Sequence, residues 1–144
     1  MAEEPRMSIR GKRALIVEEE FYSRWYLRRV LEPYTRCDVV VRGEEAVDIY
    51  RLSVDSGTPY ALVFLDMRLP EMNGDAVLRE IRRIERRSRS QDGVQRTKVL
   101  LISSDDDIER LPAQLMEECE GHIAKPIAEG EILRKLSSLG LISA

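Results

Sequence analysis

Histidine and cysteine are scarce: His122 stands alone, and Cys37 and Cys119 are the only thiols among 144 residues. One imidazole cannot build a zinc cluster. Two distant cysteines without a Cys-x-x-Cys spacing read as reduced thiols rather than a disulfide or a metal site. No apolar run approaches the ~20 residues that cross a bilayer, and Met1-Ala2-Glu3-Glu4-Pro5-Arg6-Met7 is charged where a signal peptide would be apolar. A cytoplasmic location with no membrane partner is expected. The net charge of −3 gives no reason to expect nucleic acid or an anionic membrane as the main partner. No repeat and no domain-separating linker is visible. The length suffices for a real core, so one domain over residues 1–144 is expected, with its core at about 10–140 and residues 1–9 as a flexible extension.

What the chain does have is regular alternation between strand-like apolar runs and segments of helical period. The runs are Ala14–Val17, Val39–Val41, Tyr60–Leu65, Val99–Ile102 and Ile123–Ala124. Between and after them, helical patterns cover Phe21–Leu31, Gly43–Leu52, Asp75–Arg87, Ile108–Glu118 and Glu129–Leu139, with Pro112 awkwardly placed in the fourth. Apolar runs without polar alternation suit strands buried on both faces, as in a parallel sheet. Five such units in strict order predict an α/β, doubly wound sheet with right-handed crossovers and five helices.

In an open parallel sheet, chemistry gathers beyond the carboxyl ends of the strands. Glu18-Glu19-Glu20 follows the first run, Asp66 the third, Ser103-Ser104 the fourth and Lys125-Pro126 the fifth. All four segments therefore emerge on one edge and bring carboxylates, a hydroxyl and an ammonium together. Crowded carboxylates repel and raise one another's pKa unless a cation intervenes, and hard oxygen ligands favour Mg²⁺ or Mn²⁺.

Here the chain resembles the receiver domain of two-component response regulators. The resemblance rests on Leu15-Ile16-Val17-Glu18-Glu19, Asp66-Met67-Arg68-Leu69-Pro70-Glu71-Met72-Asn73-Gly74, Leu101-Ile102-Ser103-Ser104 and Ala124-Lys125-Pro126-Ile127. It implies a flavodoxin-like (CheY-like) sheet of five parallel strands in the order 2-1-3-4-5. It further implies that Asp66 accepts a phosphoryl group from a phosphohistidine of a sensor histidine kinase or histidine phosphotransfer protein. By the same resemblance Glu19 ligates Mg²⁺ directly, Glu18 holds it from the outer shell, and the Arg68 backbone carbonyl and Asp66 complete the protein ligands. Ser103 moves to bond the phosphoryl group and Lys125 pairs with it. Such a domain is not a conventional enzyme, although it promotes its own phosphorylation and dephosphorylation.

This chain departs from the family where it has Glu at both metal acids, since the second is usually Asp. Either the loop backs off by a methylene length, or metal affinity falls. His122 replaces the switch aromatic three residues before the lysine. A histidine tolerated at a strand edge is the plainer reading, and an imidazole that rotates and adds proton sensitivity is the other. Arg68 and Asp105 occupy positions that tune phosphoryl lifetime in the family, and an ion pair between them across the pocket mouth is expected to obstruct water.

The stretch Arg79–Lys98 carries eight basic and three acidic residues. A solvated helix face with a mobile Ser90-Gln91-Asp92-Gly93 loop is the default, and an acidic partner or nucleic acid the alternative. Trp25 and Tyr26 fall on the helix that docks the kinase in the family, though a packed core role suits Trp25 equally. Asp105-Asp106-Asp107 reads as a cap of the fourth helix. The functional expectation is a stand-alone receiver that signals to a downstream protein target. It carries no direct DNA-binding element, and its fourth helix, fifth strand and fifth helix can serve as a dimer surface. The alternative is a pseudo-receiver, an interaction module independent of phosphorylation. A flavin carrier is set aside, because Glu18-Glu19-Glu20 would repel a phosphate.

Overall fold

The central strands are buried almost throughout, and their alternate residues pack into two clusters on opposite faces of one sheet, each covered by helices. The computed structural model describes residues 13–88 and 96–142; residues 1–9 and the Ser90-Gln91-Asp92-Gly93 loop lie outside them. The elements are β1 (Arg13–Val17), α1 (Phe21–Leu31), β2 (Arg36–Val40), α2 (Gly43–Asp55), β3 (Leu62–Asp66), α3 (Gly74–Ser88), β4 (Lys98–Ser103), α4 (Asp105–Glu109), α5 (Ala113–Glu117), β5 (Gly121–Ala124) and α6 (Glu129–Ser138). All five strands pair in parallel in the order 2-1-3-4-5. Leu15, Val17, Val63, Leu65, Val99 and Leu101 face α2, α3 and α5. Ala14, Ile16, Leu62, Phe64, Leu100 and Ile102 face α1 and α6. Among the described residues no helix is long and apolar enough to cross a membrane.

Several boundaries differ from the sequence reading. The third strand starts at Leu62 rather than Tyr60 and ends on Asp66, which pairs in register with Ile102 instead of following the strand. The second covers Arg36–Val40 rather than Val39–Val41. The expected helix Ile108–Glu118 is two short helices, giving six among the described residues in place of the five expected. Pro112 causes the break: it has no N–H to donate, and its ring crowds the preceding turn. The first helix closes with Arg110 N–H on the Asp107 carbonyl, and Pro112 then serves as N-cap of the second, its carbonyl accepting from Leu115 and Met116.

At the amino edge of the sheet, the basic stretch turns one arginine inward. Arg82 is among the largest fully buried side chains, whereas Arg83 and Arg86 are exposed. Its Nη1 donates to Glu85 Oε1 at 2.8 Å and to the Thr97 carbonyl at 2.8 Å, Nη2 donates to Glu120 Oε1 at 2.8 Å, and Nε donates to the Glu118 carbonyl at 2.7 Å. Glu85 Oε1 also accepts from Tyr50 Oη and Thr97 N–H. One guanidinium thus ties α2, α3, β4 and the approach to β5 together. Breaking a buried pair leaves an uncompensated charge. Arg82→Ala is therefore expected to cost about 3–5 kcal/mol in urea unfolding, while exposed Arg83→Ala stays within about 0.5 kcal/mol.

Candidate functional site

At the opposite, carboxyl edge, the three consecutive glutamates meet three different fates. Glu18 follows β1 directly, its N–H bonded to the Val40 carbonyl, and is fully buried. Glu19 is exposed. Glu20 caps α1: its carboxylate accepts from Tyr22 N–H at 3.2 Å, Ser23 N–H at 3.1 Å and the Ser23 hydroxyl. The Ser23 hydroxyl bond, with the backbone N–H groups beside it, holds the Glu20 pKa below the usual carboxylate range. One residue of sequence therefore separates an N-cap from an exposed acid, and another separates that acid from a buried one.

Asp66 ends β3 almost wholly buried. Its Oδ1 accepts from Arg68 N–H at 3.0 Å. Lys125, just past β5, reaches Asp66 Oδ2 at 3.5 Å and Glu18 Oε1 at 3.2 Å. Burial and the neighbouring charge of Asp66 push the Glu18 carboxyl up to about 7. Burial works against the Lys125 ammonium, but Asp66 and Glu18 outweigh it and hold its pKa above the ordinary lysine value. Glycine is required at 74, where a Cβ would lie 2.5 Å from the Asp66 carbonyl oxygen. This close approach seats the start of α3 against the backbone at the end of β3.

Glu18 Oε2 and Ser103 Oγ are buried and have no hydrogen-bond partner among the described residues. Two carboxylates share one ammonium here, so the cluster is short of positive charge, and an orphaned carboxylate oxygen suits a hard cation. Among the described residues no three His, Cys, Asp or Glu side chains are gathered into a metal cluster. The donors brought together are Glu18 and Asp66, with Glu19 outside.

At the mouth, the Arg68 guanidinium grips Asp107 in a fork, Nε to Oδ2 at 2.6 Å and Nη2 to Oδ1 at 2.9 Å. The sequence reading chose Asp105 as the partner, and the Asp105 side chain lies outside what is described. The cap of α4 is Ser104, whose Oγ accepts from Asp107 N–H at 3.3 Å, rather than the aspartates. A helical offset from Ser104 to Asp107 was the available signal for the Arg68 partner. His122 is half-buried on the edge strand β5, opposite Leu101. Beside the cluster, α1 exposes Phe21, Tyr22 and Trp25, which removes the core reading for Trp25. Tyr22 packs near both Trp25 and Tyr26, and Arg24 and Arg29 lie over the Phe21 and Trp25 rings.

The chain is similar to known proteins. The chain is 26% identical over 136 residues to the sensory/regulatory protein RpfC of Xanthomonas campestris, covering 94% of this chain and 18% of that protein. It thus spans less than a fifth of that relative's length. The receiver domain of a Pseudomonas aeruginosa sensor histidine kinase, with magnesium in its active-site cleft, superposes with a TM-score of 0.66 at 23% identity, over 89% of this chain and 96% of that one. The Saccharomyces cerevisiae Ssk1 receiver domain, crystallised with the histidine phosphotransfer protein Ypd1, gives 0.74 at 20% identity over 90% and 88%. Residues 14–137, which run from β1 into α6 and include Asp66, Ser103 and Lys125, match the response regulator receiver domain, and the chain belongs to that family.

Proposed function

We propose that this receiver takes a phosphoryl group onto Asp66 from a phosphohistidine, and that the observation carrying this reading is Lys125 bridging Glu18 and Asp66 beside two unpartnered buried oxygens. An Asp66 oxygen attacks phosphorus in line. The new P–O bond forms as the P–N bond breaks, its electron pair remaining on the imidazole nitrogen. Lys125 is positioned to neutralise charge spreading over the phosphoryl oxygens. The Ser103 hydroxyl lacks a partner and has one to gain from such an oxygen.

Mg²⁺, or Mn²⁺ in its place, would supply further charge neutralisation when bound. Glu18 and Asp66 fit it, and Glu19 and the Arg68 carbonyl are the proposed additional donors. The exposed position of Glu19 favours a second reading, a pseudo-receiver that binds partners without phosphorylation. His122 remains the proposed switch position. We further propose a single cytoplasmic receiver domain that signals to a protein target, with the α4–α5, β5 and α6 surface available for dimerisation. A sensor kinase or phosphotransfer protein would reach Asp66 across the exposed aromatic face of α1.

Two outcomes are expected. Intact-mass analysis after incubation with acetyl phosphate and Mg²⁺ should show one phosphoryl adduct on the native chain and none on Asp66→Asn. Absence of an adduct even with Mn²⁺ would favour the pseudo-receiver. Replacing Tyr22 and Trp25 together by Ala should slow transfer from a phosphorylated histidine phosphotransfer protein by about tenfold. The rate with acetyl phosphate should stay as it is, since that small donor needs no docking face.

A further inference from the structure

The Arg68–Asp107 fork is unlike the other ion pairs of the site, because it joins the acceptor loop to a five-residue helix that otherwise rests on the core through Ile108. Arg68 belongs to the turn after β3, and its backbone N–H already binds Asp66 Oδ1. Its guanidinium is 77% exposed at the side chain, whereas Asp107 is 17% exposed. Asp107 lies in the middle of α4, which is only five residues long and is cut off from α5 by Pro112. The acidic charge of Asp66 also acts favourably on the Arg68 guanidinium, after the dominant effect of Asp107. Arg68 therefore stands within the field of two carboxylates and holds one of them.

An exposed ion pair contributes little net stability because water and salt screen it. A phosphoryl group on Asp66 would replace the single carboxylate charge by about two negative charges spread over three acceptor oxygens, and a guanidinium matches phosphate geometry with two parallel bonds. Resting on the phosphorylation of Asp66 set out above, we propose that Arg68 is a phosphoryl-binding residue held in reserve by Asp107. On phosphorylation its guanidinium leaves Asp107 for the phosphoryl oxygens, and α4 loses its tether to the acceptor loop. Asp107 is not stranded by the exchange, since its N–H keeps the Ser104 hydroxyl and Arg110 supplies nearby positive charge. Asp107 is in this scheme a positioning residue acting through Arg68.

A static gate and an exchanging arm make opposite predictions for Asp107. If the intact pair simply blocks water, Asp107→Asn and Arg68→Ala both shorten the life of the phosphoryl group. If Arg68 moves onto the phosphoryl, Arg68→Ala shortens it roughly tenfold, and Asp107→Asn leaves it unchanged or longer.

The test uses the full chain, its Arg68→Ala variant and its Asp107→Asn variant, phosphorylated with acetyl phosphate and Mg²⁺. Intact mass reports the adduct and its decay, and hydrogen exchange reports the amides of residues 104–110. In the native chain, phosphorylation is expected to speed exchange in that segment by roughly fivefold. In Asp107→Asn, exchange is expected to be fast in both states while the adduct forms normally. A stoichiometric adduct with no change in exchange overturns the proposal, as does an Asp107→Asn adduct that decays as fast as that of Arg68→Ala. Failure of the native chain to form any adduct removes the function itself, and the exchange with it.

Discussion

Two buried carboxylates sharing one ammonium set the character of this molecule. Glu18 and Asp66 arrive from neighbouring strands, β1 and β3, and among the described residues Lys125 is the cation paired with both, at 3.2 and 3.5 Å. Everything that places them is apolar strand burial and close helix packing: Leu15–Val17 and Val63–Leu65 are fully buried, and Gly74 lets α3 begin against the Asp66 backbone. The fold therefore spends stability from its core to hold like charges together. The result is a cluster that gains from any added positive charge, whether an ion or a guanidinium.

The amino edge of the same sheet shows the contrasting case. There Arg82 sits among Glu85, Glu120 and the Thr97 and Glu118 carbonyls, with a bond of 2.7–2.8 Å to each. Tyr50 and Thr97 close the network around Glu85. One edge is electrostatically satisfied and pins α2 and α3 to the strands. The other is left unsatisfied, with Glu18 Oε2 and Ser103 Oγ unpartnered. The proposed phosphorylation of Asp66 would act on the second edge, whose charge balance is open to change, and leave the first as it is.

The strands were legible as apolar runs that suit burial on both faces of a parallel sheet, whereas their order across the sheet came from the resemblance to the receiver family. Asp66 stood out as an acid at the end of such a run. The break in the fourth helix was half legible, since Pro112 was visible but its consequence depends on how the chain restarts. The glutamate triplet was not separable, because three identical side chains differ only in where the turn after β1 points each one. Arg82 was hidden in a basic run that reads as solvated, although Leu78, Ile81, Arg82 and Glu85 share the helical spacing of a buried face. The Arg68 partner was missed because counting by two from Ser103 suits a strand, whereas α4 winds Asp107 toward the mouth.

The most direct test of an anion-rich, cation-short site is the unfolding free energy of the metal-free chain against pH, beside Glu18→Gln. Glu18 is pushed from the usual 4.5 up to about 7 in the folded state, so between those values the folded chain keeps a proton that the unfolded chain has released. Stability must then fall as pH rises through that window. The account predicts that the native chain loses on the order of 1–3 kcal/mol between about pH 5 and 7, relative to a flatter Gln variant. Parallel curves for the two proteins, or a native chain that gains stability relative to the variant, would contradict it.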